Sequence, residues 1–322
     1  MVDWNGLFKW SMEHQDGTKP TEFKVMSAEE RKWLEEAMKQ YTFNDVDRLK
    51  EVSVELKGHR EIEKGKLVEM LDELLQLVEI HVRNSLNLCL CGGMQTIMDI
   101  IFDNPHEEAR REACGVFSFS NQNNVEVQTF TAKMGALNLT HQYVRETNIK
   151  NREAVIGALS SFLRGINTDG KRTFLSEYGG LGFFKVSILE AKEQSRLAKK
   201  ILILLQDFVH NDSLIAYEGS QSYIRQAITN DNEFLATLVS FLRKISPENL
   251  TDYHQHDLRI SLLTTFEDLI ASKPALLTPT VDGSLSRALE DLKAALRAQI
   301  LAQAGSDFNE MLEKEIDSIS RI

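Results

Sequence analysis

Apolar residues recur along most of this chain at intervals of three and four positions, which is the period of one face of an α-helix. The segment "KLVEMLDELLQLVEI" shows the pattern well, because one helical face would hold Leu67, Leu71, Leu74, Leu75 and Val78. Similar periodicity returns in "NREAVIGALSSFLRG" and "RLAKKILILLQDFVHND". Only 5 prolines and 17 glycines interrupt the chain, and these two residues disfavour helix most. The pattern therefore predicts an all-α fold.

Glycine positions mark a longer repeat. Gly92, Gly135 and Gly179 lie 43 and 44 residues apart. An apolar segment follows each glycine, and a polar connection then leads to a second segment with helical periodicity. Spacing in the low forties is the period of armadillo and HEAT repeats. The sequence therefore predicts a right-handed armadillo-repeat solenoid of about four repeats, with helical caps at both ends.

The glycine cluster "YGGLGFF", which begins at Tyr178, allows two interpretations. A phosphate-binding loop needs a strand before its glycines, but the preceding "KRTFLSE" has no strand-like alternation. A bend between two helices needs a residue with positive φ, which glycine adopts at no steric cost, and we predict this bend. In the fourth repeat Asn232 is predicted to take that conformation, after an insertion around "YEGSQSYIRQAIT".

Amphipathic helices at both ends would cover the apolar ends of a solenoid. "MSAEERKWLEEAM" begins with a capping box, in which Ser27 is the N-cap and Glu30 lies three residues further on. Two apolar stripes near the C-terminus consist of Leu285, Leu289, Leu292 and Leu296, then Phe308, Leu312, Ile316 and Ile319.

Composition narrows the function classes. A formal net charge of -11 argues against a nucleic-acid-binding protein, which needs a basic face. The N-terminus lacks the apolar run of a signal peptide, and no apolar stretch is long enough for a membrane span. The odd set of Cys89, Cys91 and Cys114 predicts reduced thiols in a cytosolic protein.

Several segments resemble one protein family. "LFKWSMEHQ", "MSAEERKWLEEAMKQ" and "DVDRLKEV" are similar to the N-terminal signature of the armadillo-type nucleotide exchange factors of DnaK-type, seventy-kilodalton heat-shock chaperones. The resemblance continues through "REACGVFSFSNQN", "YGGLGFFKVSIL" and "KKILILLQDFV". It implies a flexible apolar-aromatic segment at 1–24, signature helices and a first cap at 25–90, armadillo repeats at 91–275 and capping helices at 283–322.

The resemblance also implies a mechanical function. In this family the concave face, lined by the second helices, grips one lobe of the chaperone's nucleotide-binding domain. The other lobe is displaced or strained, the cleft between the lobes opens and ADP leaves. ATP then binds and the client is released. The implied protein is a cytoplasmic monomer, with the nucleus as a second compartment, and it needs no cofactor, nucleic acid or membrane.

The repeat register places candidate partner-binding positions on the second helices. They are Gly115, Phe119, Gly157, Ser161, Arg164, Lys200, Ile203, Gln206 and Asp207. Phe119 is predicted to be either an exposed interface anchor or part of the core between repeats. The charged members are either partner contacts or ordinary solvated side chains. A separate client-like role is implied for Leu7, Phe8 and Trp10, which would alternatively dock on the protein itself.

Three other functions are weaker hypotheses. An armadillo adaptor for another protein would show a regular Trp and Asn ladder, which the second helices lack. An enzyme would show a nucleophile elbow, a P-loop, a zinc-protease motif or a diagnostic carboxylate pair, and none is present. His254 and His256 are two residues apart, so on a helix they point in different directions. They are therefore predicted to begin a helix rather than to bind a metal.

Overall fold

The computed structural model describes residues 27–33, 44–165, 167–191, 195–210, 223–245, 250, 252–272, 284–303 and 308–322. All regular secondary structure in these ranges is helical, as predicted. The chain divides into two compact units, residues 1–48 and 49–322. The finer domain boundaries inferred from the sequence stay a prediction.

The first unit contains the predicted capping box. The backbone N–H of Ser27 donates to Glu30 Oε2 at 2.8 Å, and the backbone N–H of Glu30 donates to Ser27 Oγ at 3.2 Å. These two bonds satisfy donors that a helix leaves free at its first turn. Residues 28–33 are helical, which confirms the helix start read from the sequence.

The helices that follow are, in chain order, α1 (Asp45–Glu55), α2 (Lys64–Ile80), α3 (Val82–Leu90), α4 (Gly93–Asp103), α5 (Glu107–Asn121), α6 (Val125–Lys133), α7 (Leu139–Arg145), α8 (Ile149–Leu163), α9 (Thr168–Glu177), α10 (Gly180–Glu190), α11 (Ser195–His210), α12 (Tyr223–Asn230), α13 (Asn232–Ile245), α14 (Tyr253–Ser272), α15 (Ser284–Ala302) and α16 (Asn309–Arg321). Short 3-10 turns, Leu56–Gly58 and Ala136–Asn138, follow α1 and precede α7.

Four successive three-helix groups form the repeats of the second unit: α3–α5, α6–α8, α9–α11 and α12–α14. A short helix precedes each repeating glycine. The sequence pattern did not identify these short helices as separate elements. The last helices of the groups pack side by side, in a row that runs from α2 through α5, α8, α11 and α14 to α16. This row aligns equivalent surfaces of neighbouring repeats, so that a site can extend across several of them.

The repeating glycines perform the predicted structural task. Gly92, Gly135 and Gly179 have φ values of 80°, 86° and 61°, and each lies where one helix of a repeat gives way to the next. A side chain at such a position would crowd the backbone, which is why glycine is favoured there. The bend between helices is therefore confirmed for this cluster, and no strand precedes Gly179 among the described residues.

The fourth repeat differs from its prediction in two respects. Asn232 does not have positive φ, because Asn123 is the one non-glycine residue with positive φ in the described ranges. Instead Asp231 precedes α13 and its Oδ1 accepts a hydrogen bond from the backbone N–H of Phe234 at 2.9 Å, so this junction needs no left-handed residue. The end of the predicted insertion forms α12, and the extra residues therefore precede Tyr223.

Buried aromatic rings fix the third repeat. Phe174 of α9 contacts Phe184 of α10 and Phe208 of α11, with ring centroids 5.6 and 5.5 Å apart. The first pair is edge-to-face, with 78° between the ring planes, and the second is tilted at 59°. Aromatic pairs at these separations add to the stability gained from burial alone. The predicted C-terminal stripes are also apolar contacts, because Leu292, Leu296 and Leu312 are completely buried.

Two remaining sequence features have structural counterparts. All three cysteines are free, and burial raises the pKa of Cys89 to about 12, so that its thiol stays protonated. Among the described helices, none is on its own both long and apolar enough to cross a membrane. The bent pair of α3 and α4, with 82° between the two helices, meets the length and composition test only when taken together.

Candidate partner-binding groove

A cleft of about 640 Å³ lies across α5, α8 and α11, the last helices of three successive repeats. Seven of the nine positions predicted for partner binding line this one cleft: Gly115, Gly157, Ser161, Arg164, Lys200, Ile203 and Asp207. The repeat register had placed them at equivalent positions of separate helices. The structure brings them together because these helices pack side by side in one row.

The floor of the cleft is made of small residues. Gly115 lies in the middle of α5, and a Cβ atom added there would meet nothing within 4 Å. Gly157 lies in the middle of α8, and its added Cβ would be 3.7 Å from Lys200 Nζ, an ordinary contact distance. A glycine inside a helix costs about 0.5–1 kcal/mol relative to alanine. Packing does not require a glycine at either position. The effect of the two glycines is to leave the floor of the cleft free of side chains.

Three cationic side chains surround this floor. Arg111 Nε lies 3.4 Å from a carboxylate oxygen of Glu112, so its charge is partly balanced. Lys200 Nζ donates a hydrogen bond to the backbone carbonyl of Glu153 at 2.7 Å, which fixes the ammonium group without cancelling its charge. Arg164 is exposed, and its guanidinium group makes no hydrogen bond or ion pair with the residues that the structure describes.

Asp207 is the single carboxylate that lines the cleft, and a buried lysine balances its charge. Lys171 of α9 is completely buried, and its Nζ lies 2.7 Å from Asp207 Oδ2. The same ammonium group donates to the carbonyl of Gly165 at 2.9 Å and lies 5.6 Å from the ring centroid of Phe208. The buried ion pair holds Asp207 in place at the cleft wall, and the cleft therefore keeps a net positive charge.

Lys171 was missed by the sequence-based prediction. The sequence indicated its burial only by position, because Lys171 precedes the core residue Phe174 by three residues and so lies on the buried face of α9. Arg111 was also missed, although it lies one helical turn before Gly115 on the cleft side of α5. Both residues belong to the positively charged surroundings of the predicted positions.

Two predicted positions lie outside this cleft. Phe119 is 42% exposed, which excludes the alternative that it is a core residue, and it lines a neighbouring cleft of about 670 Å³ with Val82 and Val125. Gln206 joins two helices, since its Nε2 donates to the carbonyl of Ser261 at 2.8 Å. A role for either in partner binding stays a prediction.

An ionic network joins α5 to the end of α7, just before α8 begins. Two of the three guanidinium nitrogens of Arg110 donate to the carboxylate of Glu146, with Nε–Oε1 and Nη2–Oε2 distances of 2.7 and 2.9 Å. Gln142 Nε2 donates to the same carboxylate at 2.7 Å. Burial raises the pKa of Glu146, but the hydrogen bonds from Arg110 and Gln142 more than offset this, so the pKa lies below the ordinary value. The charged form is therefore the one that the fold stabilises.

The two histidines considered for a metal begin α14, as predicted. His256 Nδ1 lies 2.5 Å from Glu315 Oε1, and the completely buried Arg259 binds both oxygens of Glu315 at 2.7 and 2.8 Å. This cluster attaches α16 to α14. No three metal-ligating side chains come together within the described ranges. Leu7, Phe8 and Trp10 lie outside those ranges.

Comparison with known proteins gives two findings, one for the N-terminal residues and one for the fold. Residues 4–85 match the family described as "Nucleotide exchange factor Fes1". A designed armadillo repeat protein is similar in structure, with a TM-score of 0.52 and 14% identity over 84% of this chain and 99% of that chain. No curated protein shows significant sequence similarity to this chain.

Two crystal structures of engineered proteins are similar as well. Their TM-scores are 0.54 and 0.55 at 12% and 14% identity, over 86% of this chain and 97% and 99% of theirs. At such identities the likeness shows the fold alone, and it confirms the all-α armadillo architecture. Together with the N-terminal match it supports the resemblance to an armadillo-type nucleotide exchange factor.

Proposed function

From the match of residues 4–85 to a nucleotide exchange factor family, we propose that this protein releases ADP from a seventy-kilodalton heat-shock chaperone. That match is the observation that most favours the proposal, and such a family implies a chaperone as the partner. The protein would act as a monomeric co-chaperone that resets the client-release cycle. Its action is mechanical: it holds a conformation of its partner and performs no bond chemistry.

The groove across α5, α8 and α11 is the proposed contact surface for the chaperone's nucleotide-binding domain. It spans three repeats that pack directly on one another, so it can bind as one preformed surface. The ion pair between Arg110 and Glu146 and the buried Lys171 fix the helices and the wall of the groove. A groove held in this way favours the one partner conformation that fits it.

The energetics follow from linkage. If the factor weakens ADP binding a hundredfold, ADP must weaken binding of the factor by the same ratio. That ratio corresponds to about 2.7 kcal/mol of coupling. The free energy must come from contacts that the groove makes with the open nucleotide-binding domain and loses with the closed one. The proposal therefore requires that the groove discriminate between two shapes of the same partner.

A cytoplasmic location, with the nucleus as a second compartment, is part of the proposal. It is supported by the three free cysteines, since proteins of oxidising compartments usually pair theirs. The test is partition of the tagged full chain between cytosol, nucleus and secretory fractions of a cell. Recovery of the protein in the secretory fraction would contradict this part of the proposal.

Reciprocity provides the test of the function itself. The affinity of the protein for a purified chaperone nucleotide-binding domain would be measured with and without saturating ADP, and the affinity for ADP with and without the protein. The proposal predicts that both ratios are well above one and equal. Tight binding that ADP does not change would instead favour an armadillo adaptor that holds the chaperone without acting on its nucleotide.

A further inference from the structure

The charges that line the cleft differ in sign from the charge of the whole chain. The protein has a formal net charge of -11. Nevertheless, Arg111, Arg164 and Lys200 line the cleft, and its one carboxylate is paired with the buried Lys171. A positive cleft in a negative protein focuses the attraction of an acidic ligand on one place.

The local contacts show which charges are available. Arg111 is near two acidic side chains of its own helix, with distances of 3.7 Å to Glu108 and 3.4 Å to Glu112. Lys200 is held by a carbonyl group, which accepts a hydrogen bond but carries no net charge. The guanidinium group of Arg164 has no hydrogen-bond or ion-pair partner in the described part of the chain, although its backbone N–H donates to the carbonyl of Ser160 at 2.9 Å. The uncompensated positive charge of the cleft therefore rests on Arg164 and Lys200.

We infer that the cleft receives an acidic segment of the protein partner, whose carboxylates pair with Arg164 and Lys200 above the glycine floor. The identity of the partner rests on the proposed function, whereas the chemistry of the occupant rests on the cleft. An arginine at the rim offers a planar fork that suits a carboxylate in two-point contact. Lys200 adds a fixed point charge on the opposite helix.

The observations favour an acidic protein segment over a nucleic acid. Nucleic-acid binding draws on many phosphate contacts along a basic face. Here two cations without a carboxylate partner lie in a cleft of about 640 Å³, while Glu108, Glu112 and Glu153 lie on α5 and α8, two of the helices that line the cleft. Those carboxylates would repel a phosphate backbone that extends along the helices, whereas a short acidic segment needs only the two cations inside the cleft.

The first part of the test measures association of the full chain with a chaperone nucleotide-binding domain over a range of salt concentrations. Ions screen charges more than about 10 Å apart at about 0.1 M salt, so steered association slows as salt rises. We expect the association rate to fall severalfold between low and high salt. An association rate that does not change with salt would overturn the inference.

The second part reverses single charges. Arg164→Glu and Lys200→Glu are each expected to weaken binding of the chaperone domain about tenfold or more, because repulsion replaces attraction at a close contact. Lys133→Glu and Lys150→Glu make the same charge change at exposed sites outside the cleft, and we expect less than about twofold from them. Equal effects of cleft and control variants would overturn the inference. Arg164→Lys, which keeps the charge, should retain most of the binding.

The third part uses probes that do not depend on the proposed function. Polyglutamate peptide is expected to bind the wild-type chain and to lose binding in Arg164→Glu, and uncharged polyglutamine is expected not to bind. A single-stranded oligonucleotide that bound more tightly than polyglutamate would overturn the inference in favour of nucleic acid. A chain that passes this part but shows no reciprocity between ADP and chaperone would refute the proposed function alone.

Discussion

Replacement of Gly115 by leucine separates the stability of this protein from its proposed function. Gly115 lies in the middle of α5, and a Cβ atom there meets nothing within 4 Å. Leucine is a far better helix former than glycine, and it would stand in open space. We therefore expect Gly115→Leu to raise the stability of the protein while it fills the floor of the groove.

The change in stability and the change in affinity for the chaperone domain can be worked out separately. Relief of the helix-interior glycine contributes about 0.5–1 kcal/mol of stability, which corresponds to a rise in Tm of about 1–4 °C. The leucine side chain occupies part of a cleft of about 640 Å³. Forcing extra methylenes into a packed contact costs about 1–3 kcal/mol, so affinity for the chaperone domain should fall about 5- to 150-fold.

Gly182→Leu is the matched control for this experiment. Gly182 also lies within a helix, α10, with nothing within 4 Å of an added Cβ, and it is outside the groove. Thermal denaturation should show that neither variant is destabilised. Calorimetric binding should show loss of affinity in Gly115→Leu alone. A normal affinity in Gly115→Leu, or equal losses in both variants, would refute the idea that the glycine floor receives the partner.

Three further substitutions test the contacts that hold the groove and the caps. Glu146→Gln should cost about 2–3 kcal/mol at neutral pH, because Arg110 loses a charged partner in a largely buried site. Since the folded-state pKa of Glu146 is lowered, its contribution is present above its ordinary pKa of 4.5 and is lost as pH falls through the lower folded value. Denaturation as a function of pH should therefore show less acid destabilisation in the variant than in the wild type. Gly179→Ala should cost about 1–2 kcal/mol by thermal denaturation, because φ is 61° at a site with open space, so that only backbone strain is added. Glu315→Ala should cost about 3–5 kcal/mol by leaving Arg259 buried without its partner. Hydrogen exchange should rise first in α14 and α16, and uniform protection of α16 would contradict that assignment.

Much of the fold could be predicted because it depends on local sequence. The 43- and 44-residue spacing of Gly92, Gly135 and Gly179 reports a backbone requirement that each repeat meets independently. Apolar periodicity located the second helices, and the same register identified seven of the residues that line the groove. Each of these features is encoded within one turn or one repeat.

Other features depend on contacts between distant parts of the chain. Arg110 and Glu146 are 36 residues apart. Lys171 of α9 pairs with Asp207 of α11. No local sequence pattern therefore predicts either pair. The junction at Asn232 was predicted wrongly because the side chain of Asp231 supplies the helix cap there. Alignment of the repeats assumed that this position has positive φ, like the repeating glycines. The chain instead makes the turn with a side-chain cap.

The most direct test of the central claim is the rate at which a fluorescent ADP analogue leaves a purified seventy-kilodalton heat-shock chaperone. The rate would be measured in a stopped-flow instrument with excess unlabelled nucleotide, with and without this protein. We expect the protein to accelerate release strongly, in a manner that saturates with its concentration and is diminished in Gly115→Leu but not in Gly182→Leu. Unchanged release at concentrations where the two proteins bind each other would contradict the account.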